Sequence, residues 1–263
     1  AANGMGKATC KKMAEYGAKV TMIDFLPEVL TYAEELRNEG YEVAGYQADV
    51  REAEKLKEIY KEVFEKYGRI DAVVNAAGVA VFNDFTDDSI DAEAHREIDI
   101  NYFGVWNSCR AAAPYMIKAK YGKIVNFSSV TGVMVCDPGS SAYAGTKGAV
   151  MAFTKALASE LAVNNITVNA ILPGVIDTPM IRKVYEGVEG GVEEALTKAA
   201  KAIPMGRLGD PEEVAEVELE ISVQPDEFGN GVYTALATEL QDETIKTKWM
   251  TAFEPSMVQV ASA

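Results

Sequence analysis

Residues 4–24 read GMGKATCKKMAEYGAKVTMID, and this stretch decides the fold class. A glycine pair, Gly4 and Gly6, opens a helical pattern, which is followed by a β-branched apolar run that ends at Asp24. A change from helical to strand period within so short a stretch is typical of a βαβ unit. The glycine pair would let a phosphate approach the N–H groups of the first helical turn, although an ordinary helix start has the same appearance.

The same alternation of short apolar runs and longer helical patterns continues toward residue 172. Strands are predicted at 18–23, 43–47, 70–75, 123–127 and 167–172. Helices are predicted at 4–16, 27–38, 52–67, 87–116 and 143–163. This order predicts an α/β fold with a doubly wound parallel sheet and helices on both faces. No repeat or linker interrupts the chain, so we expect residues 1–263 to form a single domain.

Composition excludes several classes of function. The formal net charge of −15 disfavours nucleic acid and anionic membrane surfaces as partners. No apolar run approaches the roughly 20 residues of a membrane helix, and we find no signal peptide. Three separated cysteines, Cys10, Cys109 and Cys136, predict reduced thiols and a cytoplasmic protein without a metal site. The single histidine, His95, lies in a charged stretch that is typical of a surface. The sequence offers no other histidine as the base of a Ser-His-Asp triad, so a hydrolase of that kind is excluded.

The main candidates for chemistry are Tyr143 and Lys147, with Ser129 fourteen residues before the tyrosine. Residues four apart share one face of a helix. A lysine ammonium beside a phenol lowers the phenol pKa from its usual value near 10, which favours proton exchange at neutral pH. The Ser129 hydroxyl would then hold the reacting oxygen. Taken alone, the pair also fits an ordinary contact on a helix surface.

Asp24 is the main candidate for choosing the cofactor. It ends a strand about 20 residues beyond the glycine pair, where a carboxylate accepts hydrogen bonds from the ribose hydroxyls of a dinucleotide. The same carboxylate would repel the extra phosphate of NADP, and neither Asn3 nor Phe25 offers a basic group to bind it. We therefore expect NAD rather than NADP. A solvated turn residue or helix cap is the simpler alternative for Asp24.

Other candidate binding residues follow predicted strands, at the sheet edge where ligands of open α/β sheets bind. They are Asp49, Val50, Asn75, Ala76, Gly78, Pro173, Gly174 and Thr178. Tight turns would explain the small residues equally well. Asn101 lies inside the predicted helix 87–116, where asparagine is a poor helix former. A buried polar role, such as holding a water molecule, is our interpretation.

With all these motifs in order, the sequence resembles the short-chain dehydrogenase/reductase family over residues 1 to about 221. The resemblance implies a Rossmann-like fold and a catalytic tetrad of Asn101, Ser129, Tyr143 and Lys147. It also implies that the cofactor contacts are Gly4, Met5, Gly6, Asp24, Asp49, Val50, Asn75, Ala76, Gly78, Tyr143, Lys147, Pro173, Gly174, Ile176 and Thr178.

The sequence departs from the family pattern at both ends. The family has a strand and a Thr-Gly pair ahead of the glycines, and neither precedes Gly4, so we expect the first strand to be missing. Near the other end, residues 229–234 are only a partial match to the family's last strand, and residues 222–263 are atypical. This departure puts in doubt one side of the substrate pocket and a contact that the family uses in tetramers.

The resemblance implies an oxidoreductase that transfers a hydride between NAD and a secondary alcohol or ketone, with Tyr143 as general acid/base. The alternative is a nucleotide-binding sensor or a catalytically impaired member on the same fold. Apolar residues lie at positions where the family has its pocket walls, and they favour an apolar substrate, such as a cyclic or steroid-like one. The same residues would equally fit the packing of segment 178–204, which we expect to cover the site. They are Met134, Val135, Met180, Ile181, Val184 and Tyr185.

Surplus apolar residues on two predicted helices bear on assembly. The helices at 87–116 and 143–163 carry such residues on more than one face, whereas a helix covering a sheet needs a single stripe. Related dehydrogenases pair these helices across a two-fold axis, so we expect a homodimer or homotetramer. The residues are Tyr102, Phe103, Val105, Trp106, Val150, Met151, Phe153 and Leu157.

Overall fold

The computed structural model describes residues 1–223, so the predictions for residues 229–234 and 235–263 lie outside the described part. Its strands are β1 (Val20–Asp24), β2 (Val43–Gln47), β3 (Ala72–Asn75), β4 (Gly122–Phe127) and β5 (Ile166–Ile171). Its α-helices are α1 (Gly4–Glu15), α2 (Glu28–Asn38), α3 (Ala53–Tyr67), α4 (Ile90–Glu97), α5 (Gly104–Ala119), α6 (Ser141–Leu161), α7 (Pro179–Val184), α8 (Gly191–Ala202) and α9 (Pro211–Val223). Within residues 1–223, no helix is long and apolar enough to cross a membrane.

Every strand pair is parallel, as the sequence predicts. β1 pairs with β2, and β4 lies between β3 and β5. The registers place Val20 opposite Val43 and Asn75 opposite Asn126. Because each strand is followed by a helical crossover, the carboxyl ends of the strands meet at one edge, where the candidate residues lie.

Helices cover both faces of the larger sheet. The central strand β4 is buried along its whole length, and consecutive residues point to opposite faces. Ile124 packs into a core with α5 and α6 that includes Val105 and Val150. Val125 packs on the opposite side with Val214 of α9. The α/β fold class with helices on both faces is therefore confirmed.

A cavity of about 660 Å³ separates the two sheets. Its lining includes residues of β1 and β3, of helices α1, α3 and α5, and of the loops that join them. Within residues 1–223, β1 and β3 do not pair with each other, and no strand precedes α1. The parallel sheet is thus present as two parts, which agrees with the expectation of a missing first strand.

The helix predicted over 87–116 is present from Ile90 to Ala119, but it contains a π-helical turn that the sequence pattern does not predict. The segment forms α4 up to Glu97, a π-helical turn at Ile98–Phe103 and then α5. The side chains of Glu97 and Asn101 hydrogen-bond the backbone of the loop after β3, at Val81 and Val79. Helical periodicity does not reveal these bonds, because Val79 and Val81 are distant in sequence from the side chains that hold them.

Candidate active site

The first turns of α6 place Tyr143 and Lys147 one helical turn apart, next to the loop that follows β4. Ser129 lies in that loop and is buried. Its hydroxyl accepts the backbone N–H of Thr131 at 3.1 Å and lies near enough to the Tyr143 phenol to lower the pKa of that group. The structure therefore brings together the tyrosine and serine that the sequence singled out.

Lys147 is buried beneath Tyr143. Its Nζ donates to the backbone carbonyl of Phe127 at 2.8 Å and lies 5.7 Å from the centre of the Tyr143 ring. Burial lowers the pKa of Lys147 to about 8, and the charge of Glu97 opposes this shift. An amine with a pKa this close to neutrality changes its charge within the physiological range.

The pKa of Tyr143 shifts in the direction opposite to the one expected from its spacing to Lys147. Burial raises the pKa of the phenol, the Ser129 hydrogen bond lowers it, and the negative charge of Glu97 raises it further. Removal of the phenolate from water outweighs the help of one hydroxyl donor. In the protein alone, Tyr143 therefore favours the protonated form, which is the form that donates a proton.

Asn101 is fully buried in the π-helical turn and connects the loop after β3 to α6. Its Nδ2 donates to the carbonyl of Val79 at 2.9 Å and to Oγ1 of Thr146 at 3.1 Å. Its Oδ1 accepts the N–H of Val79 at 2.8 Å and keeps a second lone pair for a water molecule. A side chain at Gly78 would meet this oxygen at 3.3 Å and Nζ of Lys147 at 3.6 Å, so the loop passes close to both groups.

Sequence analysis missed Glu97, which is fully buried at the end of α4. Its Oε1 accepts the N–H of Val81 at 2.6 Å. Burial raises the pKa of Glu97 to about 7, while the Val81 N–H lowers it. The available sequence signal was a glutamate one helical turn before Asn101, on the same helix face.

Asp24 lies at the carboxyl end of β1 and already accepts several hydrogen bonds. Its Oδ2 accepts the α-amino group of Ala1 at 2.6 Å and the N–H of Ala2 at 2.8 Å, and its Oδ1 accepts the N–H of Leu26 at 2.9 Å. Burial would raise the pKa of Asp24, but these donors lower it below its usual value. The carboxylate is therefore ionised at neutral pH, as the expected discrimination against NADP requires.

An open pocket of about 630 Å³ lies at the carboxyl ends of β1 and β2, and Asp49 lines it with Phe25 and Arg51. Arg51 bonds both carboxylate oxygens of Asp49, at 3.0 Å through Nε and at 2.6 Å through Nη2. This ion pair lowers the pKa of Asp49. Sequence analysis missed Arg51 as a basic group near the expected ribose site, although Asp49 holds its charge.

Three candidates after β2 and β3 have structural partners. Asn75 donates to Oδ1 of Asn126 at 2.9 Å, which links β3 to β4. The carbonyl of Val50 accepts from Asn107 at 3.0 Å. Ala76 packs against the core beside α9. The side chains of these residues hold the sheet edge and the loops together. Their backbones lie at the carboxyl ends of the strands, where we expect the dinucleotide.

The candidates after β5 meet those of α1. Thr178 caps α7 by accepting the N–H of Ile181, and a side chain at Gly4 would touch its methyl group at 3.4 Å. Ile176 and Met5 share the core beside α9. The carbonyl of Pro173 accepts from Val130 at 3.2 Å. A side chain at Gly6 would meet Ala76 at 3.5 Å, whereas space around Gly174 is open.

The predicted covering segment forms α7 and α8, joined by glycines with positive φ at 187, 190 and 191. Arg182 bonds both oxygens of Asp177 and also Glu193, so it ties α7 to α8. Met180 reaches the active-site loop at Gly78. Of the other proposed pocket walls, Met134 packs in a core with Met151, whereas Val135, Ile181, Val184 and Tyr185 keep exposed area.

A dinucleotide fits the residues present at the strand ends. The N-cap residue Asn3 makes no side-chain cap, so the first N–H groups of α1 remain available for a phosphate. The Asp24 carboxylate and the neighbouring open pocket suit a ribose and a base. Gly78 leaves space beside Lys147, where a side chain would obstruct the nicotinamide end.

Comparison with known proteins agrees with this geometry. The family model for short chain dehydrogenase matches residues 1–189. Oxidoreductase UcpA of Escherichia coli is 44% identical over 218 residues, which cover 82% of this chain and 82% of UcpA. The 3-oxoacyl-(acyl-carrier-protein) reductase FabG of Thermotoga maritima is 39% identical over 235 residues, which cover 88% of this chain and 91% of FabG.

Solved structures give the same result. ElxO with NADP bound has a TM-score of 0.80 at 28% identity, with coverage of 91% of this chain and 96% of ElxO. The ligand-free aldohexose dehydrogenase of Thermoplasma acidophilum has a TM-score of 0.74 at 29% identity, with coverage of 84% and 83%. Because the family model spans most of the chain, this protein belongs to the short-chain dehydrogenase/reductase family of NAD(P)-dependent oxidoreductases, which act on small molecules.

Proposed function

We propose that this protein is an NAD-dependent oxidoreductase that interconverts a secondary alcohol and its ketone. The observation that carries the proposal is the grouping of Tyr143 with two polar side chains, the buried Ser129 hydroxyl and the Lys147 ammonium, whose Nζ lies 5.7 Å from the centre of the Tyr143 ring. A nucleotide sensor would need no such group of proton-transfer side chains. The same arrangement provides both a hydrogen-bond donor for a substrate oxygen and a group that transfers a proton.

In the reducing direction, the Ser129 hydroxyl holds the substrate carbonyl oxygen, and the Tyr143 phenol donates its proton to that oxygen. In the oxidising direction, the phenolate accepts the proton of the alcohol. The Lys147 ammonium stabilises the phenolate once it forms. The nicotinamide group, when bound, supplies or accepts the hydride.

Asn101 supports this proton transfer by fixing the geometry around it. Its three hydrogen bonds to Val79 and Thr146 hold the loop after β3 against α6. The remaining lone pair of Oδ1 suits a water molecule that passes protons to and from Lys147. The contribution is one of positioning, because the three bonds fix the side chain and leave only one lone pair of Oδ1 for the water molecule.

NAD is our proposed cofactor, on the charge of Asp24. The ionised carboxylate at the end of β1 accepts hydrogen bonds from ribose hydroxyls and repels a phosphate attached there. Arg51 lies across the pocket but forms a two-point ion pair with Asp49. A guanidinium held this way offers little to the extra phosphate of NADP.

An apolar substrate is our proposal for specificity. Met180 reaches the active-site loop at Gly78, and its neighbours on and after α7 include the half-buried Ile181 and Tyr185. A cyclic or steroid-like alcohol would bury more of this surface than a short linear one. Charged substrates would find no matching group among these side chains.

The test is to follow the reduced-nicotinamide absorbance band with NAD and a panel of alcohols that includes linear, cyclic and steroidal members. We expect turnover with at least one secondary alcohol and the largest kcat/KM for an apolar cyclic one. Tight NAD binding without turnover on any member of the panel would favour the nucleotide-sensor alternative. Greater activity on charged substrates would contradict the apolar specificity alone.

A further inference from the structure

Glu97 is a buried acid in the active site that the proposed mechanism does not use. The side chain is fully buried at the junction between α4 and the π-helical turn. One carboxylate oxygen accepts the Val81 N–H at 2.6 Å. The other oxygen has no hydrogen-bond partner within residues 1–223. A buried carboxylate that is only half satisfied is costly, so its presence calls for a compensating interaction.

The loop after β3 connects Glu97 to the proposed catalytic groups. Glu97 accepts a hydrogen bond from the Val81 N–H. Asn101, one helical turn later, hydrogen-bonds both the N–H and the carbonyl of Val79. At the start of the same loop, Gly78 lies between Asn101 and Nζ of Lys147. Glu97, Asn101 and Lys147 therefore surround one short loop segment, 78–81.

We propose that Glu97 is a positioning residue of the active site, whose buried carboxylate holds loop 78–81 and serves as the counter-charge of Lys147. The inference rests on the proposed oxidoreductase function. It assigns to α4 a role in setting the charge of the site, in addition to the proton-transfer residues on α6.

The charges around Glu97 determine the sign of its effect. Glu93 and Arg96 face it from α4, and Lys147 faces it from α6; Glu93 raises the pKa of Glu97, whereas both cations lower it. In return, the Glu97 carboxylate raises the pKa of Lys147 and that of Tyr143. Removing the negative charge therefore lowers the pKa of both groups on α6.

Glu97→Gln isolates the charge, because an amide oxygen still accepts the Val81 N–H. In alcohol oxidation, the two limbs of the pH profile follow the loss of protons from Tyr143 and Lys147. We expect both limbs of the kcat/KM profile to move to lower pH, by about half a unit or more. Glu97→Asp should keep the wild-type limb positions even if its maximum rate falls, because it retains the charge.

A purely structural role would give a different result. Glu97→Gln would then lower the rate without moving either limb, or leave the profile unchanged, and each of these outcomes would overturn the proposal. Glu97→Ala loses both the charge and the Val81 hydrogen bond. It should show the limb shift of Glu97→Gln together with a larger fall in rate.

Thermal stability provides a readout that needs no turnover. The folded pKa of Glu97 is about 7, above its usual value of 4.5, so its contribution to stability is complete at low pH and is lost as pH rises toward and through 7. The Tm of wild type should therefore fall relative to that of Glu97→Gln between about pH 5.5 and pH 8. A Tm difference that stays constant over this range would overturn the inference, whether or not any alcohol is turned over.

A double-mutant cycle with Lys147→Met tests the pairing itself. At about pH 8, Glu97→Gln should raise the Tm more in the Lys147→Met background than in wild type, because the carboxylate has lost its counter-charge. At about pH 5.5 this coupling should vanish, since Glu97 is protonated. Equal effects in both backgrounds at both pH values would reject the pairing. If Lys147→Met does not fold, the pH series of Glu97→Gln alone decides.

Discussion

Lys147 and Tyr143 show how burial alters two side chains that the sequence presents as a simple pair. Their spacing alone suggests an ammonium that lowers the pKa of a phenol. In the fold, Lys147 loses water and donates to Phe127, so its own pKa falls to about 8, and burial raises the pKa of Tyr143. The protein alone therefore holds the pair in a state suited to donating a proton to a carbonyl.

Tyr143→Phe should reduce turnover by at least about 10²–10⁴-fold, because it removes the only proton that the phenol can transfer. The ring at position 143 stays in place and keeps its packing on Phe82, with 6.1 Å between the ring centres, so NAD binding should change little. Steady-state rates give the first quantity, and fluorescence titration with NADH gives the second. Phe82→Leu is a control for general disturbance of the ring. Near-normal activity of Tyr143→Phe would end the assignment of Tyr143 as acid/base.

Asp24→Ala should relax the preference for NAD over NADP, because it removes the charge that repels the extra phosphate. The ratio of kcat/KM for the two cofactors measures this preference. Asp24→Asn is a second variant without the charge: its single carbonyl oxygen accepts the N–H of Ala2 or that of Leu26, but not both. Both variants should therefore accept NADP better than wild type does. A wild-type enzyme that clearly prefers NADP would contradict the prediction.

The residues of the site were predictable to different degrees. Tyr143, Lys147 and Ser129 stand out in the sequence because their types and spacing suit one reaction. Glu97 and Arg51 did not, because their importance depends on partners that only the fold brings near, such as Val81 for Glu97. Burial, which sets the direction of the pKa shifts, likewise depends on tertiary packing.

At the scale of elements, the strands and most of the helices were predicted closely, whereas the π-helical turn inside the helix at 87–116 was not predicted. β2 was predicted with its observed bounds, and the other strands were predicted within two residues at each end. Short β-branched runs carry their own signal. The break between α4 and α5 carries none, because it is stabilised by bonds from Glu97 and Asn101 to a loop far away in sequence. Extra turns of this π type are frequent at functional sites.

The loop after β4 packs tightly on the first turn of α6, and Gly132 makes this contact. It has a φ of +89°, and a Cβ there would overlap the carbonyl of Ala144, next to Tyr143. Gly132→Ala should therefore destabilise the protein by about 1–3 kcal/mol or more and reduce kcat by displacing Tyr143. Urea unfolding and steady-state kinetics measure the two effects.

Gly145→Ala provides the matched control in the same region. A Cβ at Gly145 meets no atom within 4 Å, and the residue lies inside α6. Alanine is the better helix former there, so this variant should be more stable by about 0.5–1 kcal/mol. If Gly132→Ala were as stable as Gly145→Ala, the close contact between the loop and α6 would be refuted.

At the scale of the whole molecule, part of the surplus apolar surface predicted on two helices is used in the core. Val105, Val150 and Met151 are buried in the single chain, so they do not argue for assembly. Phe103 and Trp106 remain 46% and 40% exposed. Together with Tyr102 and Phe153 they form an aromatic patch, in which Trp106 and Phe153 lie 5.3 Å apart between ring centres.

We propose that this aromatic patch is the interface of a homodimer, on which a homotetramer would also be built. Light scattering at micromolar concentration should then report at least twice the 28.4 kDa mass of the chain. Trp106→Glu should shift the mass toward the monomer, because it places a charge in the centre of an apolar contact.

Phe85→Glu adds the same charge at a residue that is 76% exposed and outside the patch, and it should leave the mass unchanged. A monomeric mass for wild type would reject the interface. Equal dissociation by both variants would instead assign the effect to net charge, which is already −15. Residues 224–263 lie outside the described part, so the patch argues for the dimer contact alone.

The cavity between β1 and β3 leaves room for an extended peptide to pair with the strands on either side. Within residues 1–223, β1 and β3 each have one edge without a strand partner, and residues of both strands line the cavity. Unpaired edges recruit other strands. An extended peptide of consecutive valines should therefore raise the Tm by pairing there, whereas the same peptide with a central proline, which lacks an N–H to donate, should not. Equal effects of the two peptides would show that this edge is closed to strand addition.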